Sequence, residues 1–327
     1  MTQESLNGGT RLSVETLFTT LGLNLSSSDK KNLDFAKAFN VLGVAFDLNI
    51  NPDDSFMIRN TESRVSDLVS RISEVLEKGK LNAKDATGLR SRLNFACAQL
   101  YGRTAASVLK DFGKYETSKF PRKLEHNTRI LLEIMISHLE NGMPRTVHFD
   151  DADPVHIFTD GSLEGDGESG RAAGLGAVLV NSDGECLQAL SFTPNEEQVK
   201  DLGNGIHQLE ILPVTMACIA FEEHVCRPAY FHVDNTAAQS ALINVGSSNH
   251  SSRSLVYLYL DLEQRLQLRP WISRIGSVSN IADGPSRGWF GEVEGLGAKC
   301  FEFPEKVLFY VLEDFKKKRG SLAMSNA

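Results

Sequence analysis

Val155-His156-Ile157-Phe158-Thr159-Asp160-Gly161-Ser162 is a short apolar run that ends in a carboxylate and passes at once into a turn-forming pair. A strand that ends this way presents its last side chain at a sheet rim. Three further carboxylates stand in contexts that bring them to the same rim: Glu210 in His207-Gln208-Leu209-Glu210, Asp234 closing Tyr230-Phe231-His232-Val233-Asp234, and Asp283 in Asn280-Ile281-Ala282-Asp283. Alone, each has an ordinary reading as a turn acid, a first-turn helix acid, an N-cap or a solvated loop acid. Their order and the elements they close point to one shared site.

Around this stretch the sequence has the periodicity of strands. Strands are predicted over 155–160, 173–180 and 185–192, with Asn181-Ser182-Asp183-Gly184 as a tight turn between the last two and a Gly- and acid-rich loop at 163–170. A helix over 209–223 turns Leu212, Met216, Ile219 and Ala220 inward. A fourth strand at 229–234, helices at 235–245 and 255–268 and a fifth strand at 271–275 follow. This order predicts an α/β fold, a mixed five-stranded sheet with helices on its faces. Asp160 and Asp234 then close two strands lying side by side.

The first half reads differently. A short helix is expected over 14–25, and a bent strand or hairpin over 38–47 where Gly43 interrupts an apolar run. From Thr61 the period is helical: Val65, Leu68, Val69, Ile72, Val75 and Leu76 share one face, and Gly79 is the stop. Asn82 stands where an N-cap would, before a helix that turns Leu89, Leu93 and Ala96 inward. Runs at 105–115 and 124–139 complete a mainly helical region. Arg90, Arg92 and Arg103 lie on its other faces, where they would track a nucleic-acid backbone. Glu140-Asn141-Gly142-Met143-Pro144-Arg145 ends the helices, and the acidic, turn-rich 148–154 marks a boundary. Three regions are expected, 1–149, 150–295 and 296–327. The last holds an amphipathic helix over 303–318 whose closing Lys316-Lys317-Lys318-Arg319 suits a helix C-terminus.

Composition bounds the class. The chain has 327 residues, 41% hydrophobic and 23% charged, which reads as globular and long enough for two cores. Its five cysteines, at 97, 186, 218, 226 and 300, form no C-x-x-C pair, which favours reduced thiols in an intracellular protein, cytoplasmic or nuclear. No apolar run reaches the roughly 18 residues that a membrane span needs. Residues 1–149 hold 20 of the 34 Lys and Arg and 17 of the 42 Asp and Glu, a net +3, while the remainder is net −11. An acidic half collects divalent cations and repels phosphates unless a metal or a basic neighbour compensates.

Two resemblances follow from these motifs. Phe39-Asn40-Val41-Leu42-Gly43-Val44-Ala45-Phe46-Asp47 is similar to the hairpin that follows the palm in retroelement polymerases, and Leu89-Arg90-Ser91-Arg92-Leu93-Asn94-Phe95-Ala96 with Gly102-Arg103 resembles the helical thumb and connection after it. The Tyr-x-Asp-Asp turn of a polymerase palm is not present; Asp53-Asp54 and Asp150-Asp151 look like loop acids. The resemblance places the fingers and most of the palm upstream of Met1, and DNA synthesis by this chain alone is not expected.

Thr159-Asp160-Gly161-Ser162, Gln208-Leu209-Glu210, Val233-Asp234-Asn235-Thr236 and Asn280-Ile281-Ala282-Asp283-Gly284-Pro285-Ser286-Arg287 stand in the order of the ribonuclease H superfamily. The last motif looks most like that of DIRS-like (tyrosine recombinase) retrotransposons. The resemblance implies a ribonuclease H-like domain behind a thumb/connection-like region, with Asp160, Glu210, Asp234 and Asp283 holding Mg²⁺, or Mn²⁺ in its place. Mg²⁺ takes few protein oxygens and keeps several waters, so carboxylates from separate elements suffice.

The implied activity is cleavage of the RNA strand of RNA/DNA hybrids, in a truncated retroelement reverse transcriptase. Ser162, Asn235 and Arg287 join the three arginines as hybrid contacts, and a full-length reverse transcriptase chain is a further partner. A decayed or co-opted binding module is the alternative, and a DNA-cutting enzyme of the same fold a third reading. The family's histidine in the loop before the last motif is missing from 276–279, as is a basic, Trp-containing protrusion between Asp234 and Trp271.

Overall fold

The computed structural model describes residues 36–48, 55–148, 153–164, 172–203, 205–225 and 228–323, with scattered positions between 9 and 21. The helix expected over 14–25, the pairs Asp53-Asp54 and Asp150-Asp151, most of the loop at 163–170 and Cys226 lie largely or wholly outside the described residues.

The first half runs β1 (Ala38–Val41), β2 (Val44–Asp47), β3 (Ser55–Asn60), α1 (Glu62–Lys78), β4 (Lys80–Leu81), α2 (Ala83–Cys97), α3 (Thr104–Asp111), α4 (Gly113–Glu116), β5 (Arg122–Lys123), α5 (His126–Asn141) and β6 (Arg145–His148). The expected hairpin forms on a Leu42-Gly43 turn with both φ positive, the geometry that suits strand twist. Gly79 takes the left-handed conformation after α1 and donates to the Val75 carbonyl, and Asn82 Oδ1 accepts from the Asp85 amide at 2.8 Å. Both helix boundaries were legible from those residues. β3 and β6 were not expected; they extend the hairpin into an antiparallel sheet of order β1-β2-β3-β6. Leu68, Ile72, Leu93, Phe112, Tyr115, Leu132 and Met135 form the helical core, all buried.

The second half runs β7 (Val155–Glu164), β8 (Ala172–Val180), β9 (Cys186–Phe192), α6 (Glu196–Leu202), α7 (Ile206–Ala220), β10 (Pro228–Val233), α8 (Thr236–Ile243), α9 (His250–Arg265), β11 (Arg269–Arg274), α10 (Asp283–Ser286), α11 (Gly291–Gly295), β12 (Lys299–Glu302) and α12 (Glu305–Ala323). The sheet order is β11-β10-β7-β8-β9-β12, with β7, β8 and β9 antiparallel and β10 and β11 parallel to β7. The mixed sheet with flanking helices is the expected architecture. Among the described residues it has six strands rather than the expected five: β12, which lies beyond the expected 150–295 region, pairs in parallel with β9. A four-residue edge strand of sequence Lys-Cys-Phe-Glu carries too little alternation to be read in advance.

α7 and α9 cover one face, burying Ile157, Leu175, Leu179, Phe231, Leu212, Met216 and Tyr259. A smaller cluster around Val178, Ala189, Ala282 and Val293 closes the other. α12 contributes Leu308 and Leu312 to the main core. This helix continues to Ala323, so the basic run lies within it rather than at its end.

The halves are joined by polar contacts at their border. Arg103 forks onto Glu263, which is 2% exposed, with N–O distances of 2.8–3.1 Å, and His138 Nδ1 meets Gln264 Oε1 at 2.9 Å. Tyr257 packs against both cores. Cys97, Cys186, Cys218 and Cys300 are free thiols, and no helix among the described residues is long and apolar enough to cross a membrane.

Candidate metal centre

Asp160 does not end its strand. β7 runs on to Glu164, paired antiparallel with β8, and Asp160 is the first residue beyond the Val233–Thr159 register that closes the parallel pairing with β10. The sheet opens at that point. Asp234 follows the last residue of β10, so the two aspartates face one opening.

Glu210 comes from the first turns of α7, which begins three residues before the expected start, at Ile206. Gly161 makes its approach possible, since a Cβ there would overlap the Leu209 carbonyl and press on the Glu210 amide. Pro213 lacks the N–H that the Leu209 carbonyl would otherwise accept, so this carbonyl is free of the helix ladder where it lies against β7.

Asp160, Glu210 and Asp234 each offer a carboxylate oxygen within 4.8 Å of the other two. Asp160 and Glu210 are 5% exposed. Burial, then repulsion from Asp234 and Asp160, pushes the Glu210 carboxyl up to about 9. Asp160 is also raised, mainly by burial, against the opposing effect of a hydrogen bond from Ser286. Glu210 Oε2 is buried without a hydrogen-bond partner. Three close carboxylates, one with an orphaned oxygen, suit a hard divalent cation coordinated by oxygen.

Asp283, the fourth expected carboxylate, begins α10 and lies close enough to Asp160 to raise it electrostatically. Its side chain is half exposed and takes the Arg287 guanidinium at 3.2–3.3 Å; Arg287 also pairs with Glu164. The last motif therefore folds into a short turn against the sheet. Gly174 and Gly176 on β8 are its floor, because a Cβ at either position would overlap Ser286 backbone atoms. The alternation of 173–180 shows a strand but not this role, although two Gly flanking one residue in a strand signal a close backbone approach.

The residues expected to touch nucleic acid all have partners within the chain. Ser162 Oγ donates to the Ser286 carbonyl at 2.9 Å, and Asn235 Oδ1 caps α8 by accepting from the Ala237 and Ala238 amides at 3.0 Å. Arg90 pairs with Glu116 at 2.6 Å and Arg92 with Asp67 at 3.0 Å, both at the surface, while Arg103 is committed to Glu263 between the halves. The loop before the last motif is a 3-10 turn, Ser277–Ser279, with Val278 fully exposed at its tip.

His156 and His232 are not members of this cluster. His156 Nδ1 meets His232 Nε2 at 3.0 Å, and His232 Nδ1 meets Ser273 Oγ at 2.8 Å, in a row with Tyr230 and Phe158 rings. Burial pulls His232 down to about 4.

No protein family profile matches the chain, and no curated protein does. Among solved structures it is similar to the ribonuclease H1 of the archaeon Halobacterium salinarum NRC-1, at 18% identity over 42% of this chain and 98% of that one, with a TM-score of 0.31. It is also similar to LC11-RNase H1 in complex with an RNA/DNA hybrid, at 13% identity over 43% and 99% of the two chains, TM-score 0.31. A third likeness is to a foamy viral protease-reverse transcriptase in complex with an RNA/DNA hybrid, at 13% identity and TM-score 0.35. That match covers 87% of this chain but only 35% of the viral protein. These scores are too low to carry the assignment, which rests on the sheet itself: three antiparallel strands, then two parallel strands added on the far side of the first, with helices between. The second half of the chain has a ribonuclease H-like fold.

Proposed function

We propose that this chain is a Mg²⁺-dependent endonuclease that cleaves the RNA strand of RNA/DNA hybrids, with Asp160, Glu210 and Asp234 as metal ligands and Asp283 as a fourth. The observation that carries this reading is the convergence of three carboxylates from three elements within 4.8 Å, one of them with a buried, unpartnered oxygen. When bound, Mg²⁺ supplies charge neutralisation at the scissile phosphate and an activated water.

The chain's own residues do the rest. Asp160 lies on the central strand β7, with Glu210 and Asp234 within reach of the same cation, and is the natural shared ligand. Glu210 holds a proton at neutral pH, which it would have to release to serve as a ligand. Asp283 is restrained only by half-exposed ion pairs with Arg287, and such pairs are worth about 0–1 kcal/mol. Asp283 would therefore give up this pair at little cost to hold a second cation, and Arg287, still beside Glu164, would then be released toward a substrate phosphate.

Residues 150–295, with β12 as an added edge strand, form the nuclease unit in this reading. Residues 1–149 form a thumb/connection-like unit that helps hold the hybrid. Arg90 and Arg92, in exposed and easily screened pairs, are its candidate phosphate contacts; Arg103 serves the border between the halves. An origin in a DIRS-like retrotransposon and a reverse transcriptase chain as partner belong to the same proposal, on the strength of the Asn280 to Arg287 motif.

The test is cleavage of a labelled RNA/DNA hybrid by the purified chain in Mg²⁺ and then Mn²⁺, beside Asp160→Asn, with single-stranded RNA and duplex DNA as controls. Hybrid-specific cuts lost in the variant are expected. Cleavage that survives in Asp160→Asn would sink the site, and a folded protein that cuts nothing in either metal would leave the binding-module reading in its place.

A further inference from the structure

Asp160 is also gripped by two side chains of the last motif. Ser286, 1% exposed, donates its hydroxyl to Asp160 Oδ2 at 2.5 Å. Asn280, 5% exposed, donates its amide to Asp160 Oδ1 at 3.3 Å and to the Thr159 carbonyl at 3.1 Å. Each carboxylate oxygen thus has one protein donor and keeps further acceptor capacity for a cation.

The donors are themselves braced. Asn280 Oδ1 accepts from the Ala282 amide at 3.3 Å, and the Ser286 carbonyl accepts from Ser162 Oγ at 2.9 Å. The Ser286 hydroxyl also lies 2.9 Å from the Asp283 carbonyl. It has one proton, and the charge-assisted bond to a carboxylate is the stronger use of it. Gly174 and Gly176 remove the side chains that would hold this turn off the sheet.

We propose that Ser286 and Asn280 are positioning residues that fix the orientation of the Asp160 carboxylate before the metal arrives, with Gly174 and Gly176 as the floor that lets them reach it. This rests on the metal-site reading above. It gives the Asn280 to Arg287 segment two separate duties: Asp283 ligates, while Asn280 and Ser286 hold the ligand on another strand. Unsupported, Asp160 would have to be ordered by the cation itself, at a cost in affinity. Partners of this kind are typically worth 10–100-fold in metal affinity or activity.

The experiment is calorimetric titration of Mn²⁺ into the whole metal-free chain, wild type against Ser286→Ala, Asn280→Ala and Ser286→Cys. The Cys variant is nearly isosteric with a weaker donor and guards against an Ala variant that fails to fold. Thermal unfolding in chelator reports the fold. Ser286→Ala is expected to weaken Mn²⁺ binding roughly 10–100-fold, with Ser286→Cys between it and wild type. In hybrid cleavage kcat should fall while KM for the hybrid stays. Equal Mn²⁺ affinity in wild type and all folded variants would overturn the positioning role and leave the metal site standing. A wild-type chain that binds no Mn²⁺ would overturn both.

Discussion

Replacing Glu210 by glutamine should stabilise the metal-free protein and make it inert. The folded chain holds the Glu210 carboxyl at about 9, against an ordinary value of 4.5, because burial and two neighbouring carboxylates oppose its charge. At pH 7 the folded chain therefore keeps a proton that the unfolded chain has shed. Each pH unit between 4.5 and 7 is worth about 1.4 kcal/mol, so the ceiling is roughly 3 kcal/mol. Relaxation and water entry lower it, and about 1–2 kcal/mol is expected, a few degrees in Tm.

The sign follows from linkage. A carboxyl raised in the folded state contributes stability that is full below 4.5 and is lost as pH rises toward about 9. Glutamine carries no such dependence, so the gain should be present at pH 7 and shrink toward pH 4.5. Thermal or urea unfolding in chelator at both pH values measures it. Adding Mn²⁺ should then stabilise the wild type and not the variant, reversing their order. A Glu210→Gln protein less stable than wild type in chelator at pH 7, or stabilised by Mn²⁺ as strongly as wild type, would refute the account of this carboxylate.

Other perturbations probe the parts around it. Asp160→Asn should abolish hybrid cleavage while far-ultraviolet circular dichroism stays unchanged; a lost fold would show that its bonds to Ser286 and Asn280 are mainly structural. Gly174→Ala puts a methyl into the Ser286 carbonyl, so it should cost about 1–3 kcal/mol and weaken Mn²⁺ binding, and a neutral result in both assays would count against the floor. Arg103→Ala strands the buried Glu263 carboxylate at a cost of about 3–5 kcal/mol, and pairing it with Glu263→Gln should recover much of that in urea unfolding. Hybrid binding, followed by anisotropy in Ca²⁺, should weaken steeply with salt, and a flat response would rule out phosphate contacts by Arg90 and Arg92.

Much of this arrangement was legible in the sequence because its signals are local. The 155–160 run, the Asn-Ser-Asp-Gly turn, the helical stripe from Val65 to Leu76 and the stop at Gly79 all state their structure within a few residues. The three clustered carboxylates were legible too, since each stands in or directly after an element whose type is readable, Asp160 in a strand, Glu210 in the first turns of a helix and Asp234 just after a strand.

What was missed depends on partners far along the chain. β6 and β12 are four-residue strands whose pairing comes from residues about 90 and 110 positions earlier, which no local period encodes. Asp160 was read as a strand end because Gly-Ser follows, yet β8 continues to pair with it for four more residues. The duties of Ser286, Gly174 and Gly176 appear only when the last motif is laid against the sheet. Arg103 looked like any exposed helix arginine until Glu263, 160 residues away, supplied its partner.

The distance between Asp160 and Ser286 along the chain also bears on when the protein gains its chemistry. Their contact spans 126 residues, and Asp160 meets Asp234 only once β10 has crossed back to pair beside β7. Contacts of such separation form late, after the loop-closure entropy has been overcome. A chain still emerging from the ribosome carries Asp160 and Glu210 long before it carries Asn280 and Ser286. Nascent or partly folded copies are thus expected to lack an ordered Asp160, so that in the proposed reading the metal cluster is complete only once the sheet is.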